Sequence, residues 1–195
     1  MNNRNDAREL SGHIFCLSLF ESNTAKLYQI IAEKIEMPIV KSLLLEVSHD
    51  SQKHAALLKG IYDSMPESNW NTKQCSKKIG QGWSIVEKLS NQIAQIGTVS
   101  VEYLTEFSEK LSILEKVMGE EYNVLVQMKT LEMMAKEIRR IYGIDIAAIN
   151  GIIRAIIDDE THHLEILATI RDLFQQKKQE LLIEDPLMEY RKLLG

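Results

Sequence analysis

Cysteine is nearly absent from this chain of 195 residues, which has only Cys16 and Cys75. One such pair gives no disulfide framework and no C-x-x-C spacing for a cysteine-held metal, so both are read as buried or incidental thiols of a reducing, cytoplasmic protein. Long uncharged apolar runs are missing too. None approaches the roughly 18 residues a membrane-spanning helix needs, which argues against a membrane protein. The run His13-Ile-Phe-Cys-Leu-Ser-Leu-Phe20 meets Glu21, has no small-residue cleavage site and continues a helical pattern, so it reads as mature helix and not as a secretion signal. Nor is there an excess of positive charge. Lys and Arg number 23 against 28 Asp and Glu, a net charge of -5. The signs interleave, leaving no basic stripe for nucleic acid. Alternating apolar and polar stretches, the mark of half-buried strands, are absent as well.

What remains is helical. Three prolines and nine glycines divide the chain into long helical segments, and 45% hydrophobic content suffices for one core, so a single all-α domain over residues 1–195 is expected. The pattern predicts a first helix over about 7–35 and a turn at Glu36-Met-Pro38, then a second helix over about 39–65. A partly helical crossover over about 72–96 follows, with Gly80 and Gly82 loosening its middle. A third helix over about 99–142 and a fourth over about 145–178 meet at Gly143-Ile-Asp145. A short last helix over about 187–194 is left two roles, packing on the outside or self-association into a homo-oligomer.

Within that frame the second and fourth helices repeat each other. Val47-Ser-His-Asp50-Ser-Gln-Lys-His54-Ala-Ala-Leu-Leu58 aligns with Ile156-Ile-Asp-Asp159-Glu160-Thr-His-His163-Leu-Glu-Ile-Leu167 at a shift of 109 residues, and the match extends from Val40/Ile149 to Asp63/Asp172. Each copy carries a histidine behind an acid. Successive helical residues rotate by about 100°, which decides which of them face inward. On the second helix His54 falls at the centre of the apolar face, with Asp50 and Ser51 beside it and Glu46 at its edge, whereas His49 falls outside. On the fourth, Glu160 and His163 lie within the apolar face, Asp159 at its edge, and His162 points away. Glu46-x-x-His49 therefore has metal-site spacing but the wrong facing, and Glu160-x-x-His163 has both.

The other two helices each set one carboxylate in an apolar face. Glu21 lies among Leu17, Ala25 and Tyr28, and Glu121 among Leu114, Val117, Val124 and Leu125. A buried carboxylate without a partner is costly. Residues level across a helical hairpin are equidistant from its tip. The midpoint of Glu21 and His54 falls at Met37-Pro38, and that of Glu121 and His163 at Tyr142. Glu132 also faces inward but lies at a different level.

Carboxylates that bridge two cations, with a terminal imidazole for each, suit a dinuclear centre with open positions. In this pattern the chain resembles the ferritin-like superfamily, above all its rubrerythrin-like and bacterioferritin-like members. There, one Glu from each of two helices joins a Glu-x-x-His from each of the other two. The resemblance covers both hairpins. It implies a ferritin-like antiparallel four-helix bundle in which Glu21, Glu121, Glu160, His54 and His163 are metal ligands and the cofactor is two iron ions, or iron and manganese. One position departs from the pattern: Ser51 stands where the repeat calls for a glutamate matching Glu160. Asp50, one position earlier, is the first candidate to replace it, and Glu46, one turn away, the second. The resemblance further implies an oxidoreductase acting on dioxygen or peroxide, as peroxidase or ferroxidase. With no rubredoxin-like segment, its electrons would come from a separate donor protein. Iron storage without catalysis, and a bundle with a decayed site serving as a structural or interaction module, are the alternatives.

Overall fold

The computed structural model describes residues 3–65, 70–127 and 146–183. Six helices are described: α1 (Asn3–Glu33), α2 (Pro38–Asp63), α3 (Thr72–Ile79), α4 (Gln81–Ala94), α5 (Val101–Gln127) and α6 (Ile146–Ile183). No strand occurs among the described residues. The expected turn at Gly143, Glu132 and the short last helix lie outside them.

Helices α1 and α2 form one hairpin, α5 and α6 pack along each other as a second pair, and α2 meets α6. Pro38 opens α2 behind the extended Met37, where its missing N–H and fixed φ cost the helix nothing. A continuous core runs through the bundle, from Leu10, Leu17, Phe20 and Ile31 of α1 to Leu44, Val47 and Leu58 of α2, Phe107, Leu111 and Leu114 of α5, and Ile153, Ile156 and Leu167 of α6. Burying each such side chain contributes on the order of 1.5–3 kcal/mol, and packing of these faces, more than helix propensity, holds the elements. Among the described residues no helix is long and apolar enough to cross a membrane.

The crossover α3–α4 climbs α1 from its beginning to its end. Trp70 lies against Gly12, where a Cβ would fall 1.8 Å from the indole, so no larger residue fits. Cys75 reaches Cys16, Gly82 admits the ring of Phe20, and the N–H of Val99 donates to the carbonyl of Lys34 at 3.0 Å. Asn71 and Gln74 close a capping box at the start of α3. Gly80, at φ 61°, makes the break between α3 and α4, a backbone region that glycine enters freely. Gly82 does not loosen the crossover; it belongs to the first turn of α4 and brings that helix close to α1.

Cys16 and Cys75 form a disulfide that clamps α3 to α1, with Cα atoms 4.9 Å apart. This corrects the reading of two unpaired thiols and removes the case for a reducing compartment drawn from them. The bond spans 59 residues of sequence, and only the path of the crossover brings its ends together.

Candidate metal centre

Three carboxylates and two imidazoles meet in the middle of the bundle, all but sealed from water. Glu21 from α1, Glu115 from α5 and Glu160 from α6 are 0%, 0% and 2% exposed, and His54 from α2 and His163 from α6 are both 0% exposed. Ligand atoms of Glu21, His54 and Glu160 lie within 4.8 Å of one another, and so do those of Glu115, Glu160 and His163. Glu160 belongs to both trios, so the two groups share one carboxylate.

Both histidines are oriented alike. Nδ1 of His54 faces Glu21 Oε1 at 3.3 Å and Glu160 Oε1 at 3.2 Å, and Nδ1 of His163 lies 3.0 Å from Glu115 Oε2. Each Nε2 turns outward to an aspartate of the opposite helix: His54 to Asp159 at 2.9 Å, His163 to Asp50 at 3.5 Å. An outer carboxylate on the far ring nitrogen fixes the tautomer and ring plane of a metal-binding histidine. The ammonium of Lys53 joins the two aspartates at 2.7 and 2.9 Å.

Two fully buried tyrosines complete the arrangement crosswise. Tyr28 of α1 donates its hydroxyl hydrogen bond to Glu115 of α5, 2.5 Å away, and Tyr122 of α5 donates to Glu21 of α1. Burial raises both phenols well above their usual range, and the charges of Glu115 and Glu21 push them the same way, so both stay protonated donors.

The electrostatics favour added positive charge. Burial pushes Glu160 well above the carboxylate range, and the neighbouring Glu115 and Glu21 add to the shift. Burial raises Glu21 too, more than His54 can lower it. Burial raises Glu115 as well, but hydrogen bonding and charge from His163 outweigh it and leave Glu115 below its ordinary value. Burial pulls the His54 imidazole down, but the close approach of the Glu160 and Glu21 carboxylates outweighs it and pushes it up to about 10. His163 rises for the same reason, through Glu115. Without a cation the cluster must take up protons.

Hydrogen bonding tests the fit of a cation directly. Glu21 Oε2, His54 Nδ1 and both carboxylate oxygens of Glu160 are buried without a hydrogen-bond partner, although buried polar atoms almost always have one. These are donor atoms for a hard or borderline divalent ion such as iron or manganese. The residues present fit a pair of such ions.

Of the six ligands read from the sequence, Glu21, His54, Glu160 and His163 come together. Glu121 does not join them: its side chain is 29% exposed and pairs with His13 of α1 at 3.2 Å. Glu115 holds the inward position on α5. Asp50 is 25% exposed and stands behind His163, outside both trios. Glu46 is half exposed and approaches His162 at 3.6 Å. Ser51 is fully buried, its hydroxyl without a hydrogen-bond partner, so no second Glu-x-x-His forms.

The sequence did contain a signal for Glu115. At a shift of 94 residues, α1 and α5 align Leu10 with Leu104, Leu17 with Leu111, Glu21 with Glu115, Tyr28 with Tyr122 and Ile31 with Leu125. That register reproduces the crossed tyrosine and glutamate pairs.

No curated protein and no solved structure matches this chain. A family model, Rubrerythrin, matches residues 19–171, from just before Glu21 to beyond His163. With most of its length matched and carboxylate and histidine groups gathered in its helical core, the chain belongs to the rubrerythrin family of ferritin-like di-iron proteins.

Proposed function

We propose that this protein is an oxidoreductase that carries two iron ions, or iron and manganese, and reacts with dioxygen or peroxide using electrons from a separate donor protein. One observation supports the reading above the rest: two buried ligand trios share Glu160, and both oxygens of that shared carboxylate lack a hydrogen-bond partner. Glu21 and His54 would hold one ion, Glu115 and His163 the other, with Glu160 between them. Such ions, when bound, supply the redox electrons and polarise an oxygen ligand. The chain supplies the rest. Asp159 keeps Nε2 of His54 engaged so that its Nδ1 points inward, and Asp50 stands 3.5 Å from Nε2 of His163. Tyr28 and Tyr122 hold Glu115 and Glu21 in place and keep a proton at each carboxylate. The apolar walls exclude bulk water, which strengthens every one of these interactions.

Ser51 supports a second reading, a bundle whose centre has weakened, because it removes one bridging carboxylate from the family's set. Metal analysis of aerobically purified protein, with stopped-flow oxidation of added ferrous iron by peroxide, separates the two. Enzyme function requires about two metal ions per chain and oxidation faster than in buffer. Metal-free protein with no acceleration would leave a structural module. Storage would appear as many irons per chain in a large assembly.

A further inference from the structure

A recess in the bundle surface approaches the sealed centre from one side. Between α5 and α6 lies a cavity of ≈ 200 Å³, lined by Glu115 and Glu160 together with Lys116, Gly119, Glu120 and Thr161. It is open toward solvent, and two residues of the ligand trios, Glu115 and Glu160, contribute to its wall while their carboxylates stay buried.

Gly119 is the unexpected residue in this wall. It lies inside α5 with ordinary helical backbone, since Gly80 is the positive-φ glycine of the described chain. A helix-interior glycine costs about 0.5–1 kcal/mol relative to alanine. Close packing does not require it either. A Cβ at this position would meet nothing nearer than Glu160 Cβ at 3.8 Å, an ordinary contact. Neither conformation nor crowding explains the glycine; the side chain nearest to its missing Cβ is Glu160.

We infer that the α5–α6 cavity is the route by which small inorganic species reach the centre, and that Gly119 keeps it open. This rests on the metal-binding reading given above. Size sets the class of traffic. Pockets for organic ligands run from about 300 to 1,000 Å³, whereas this cavity has room for only about half a dozen waters at roughly 30 Å³ each. Hydrated divalent cations, dioxygen and hydrogen peroxide fit within it. Lys116 and Glu120 at the rim carry opposite charges, so the passage does not select for one sign.

Cobalt(II) uptake by the metal-stripped full chain, followed through its visible absorbance, tests this without reference to turnover. Gly119→Leu should load roughly tenfold or more slowly, because access then requires local opening of the helix pair, and should reach the same final stoichiometry as the unmodified chain. Gly119→Ala should slow uptake less. Gly151→Leu serves as the control, since that glycine lies in α6 with nothing within 4 Å of its Cβ position and should load at the unmodified rate. Loading of Gly119→Leu at the unmodified rate would overturn the route, and so would a lower final stoichiometry, which would make Gly119 part of the site's architecture. Failure of the unmodified chain to bind cobalt at all would sink the metal reading itself, and the route with it.

Discussion

Exchanging Glu115 and Glu121 one at a time separates two carboxylates that stand six residues apart on one helix. Glu115→Gln should lower metal content by about one ion per chain, because a neutral amide replaces a charged oxygen donor. Glu121→Gln should leave metal content unchanged, since that side chain pairs with His13. Elemental analysis after dialysis reads both, and a loss confined to Glu121→Gln would reverse the assignment. The reason Glu115 was hidden is geometrical. Val117 and Val124 pull the apparent apolar centre of α5 toward Glu121, yet Val124 is 51% exposed. Met118 and Tyr122, both fully buried, move the true centre toward Glu115. His54, Glu160 and His163 were legible because their helices carry dense aliphatic faces, which leave little doubt about orientation. The crossed tyrosine pairs were not, because a hydroxyl's partner across a bundle depends on register between helices that no single-helix pattern contains.

At the scale of elements, the crossover is more than a tether. It lies along α1 and is fastened at Trp70, at the disulfide and at Val99. Closing a loop of 59 residues restricts the unfolded chain, which in the loop-entropy account stabilises the fold by about 4 kcal/mol. Cys75→Ser should therefore lower the urea midpoint, and a reductant should lower that of the unmodified chain to about the same value. Equal midpoints for oxidised and reduced protein would show that the clamp contributes nothing. The helices themselves could be read from periodicity and from Pro38, since those signals are local. The disulfide could not: two cysteines on separate helices pair only once the path between them is known.

The molecule as a whole is two similar halves facing each other across the centre, related by a shift of 109 residues for α2 and α6 and 94 for α1 and α5. The difference between these shifts means that the second hairpin carries more chain between its ligands than the first. Global stability of the metal-free protein should depend on pH with a definite sign. His54 and His163 bind protons more tightly when folded, so the stability they add is complete below the ordinary imidazole value of 6.5 and is lost as pH rises toward the folded value of about 10 for His54. Glu21 and Glu160 are raised also and weaken the fold in the same direction above the ordinary carboxyl value of 4.5. Glu115 and Asp159 are lowered, and their contribution is lost in acid instead. The urea midpoint of chelator-treated protein should thus fall steadily from about pH 6.5 upward, and far less once metal has displaced the protons. A midpoint that rises over that interval would contradict the assignment.

Lys53 gives the paired halves a fastening on the outside. Its side chain is 49% exposed, yet it grips both aspartates that stand behind the imidazoles. Ions in the medium weaken exposed charge pairs. Added salt therefore slackens the backing of both histidines together, so that the two sides of the buried centre answer to one ammonium standing in water.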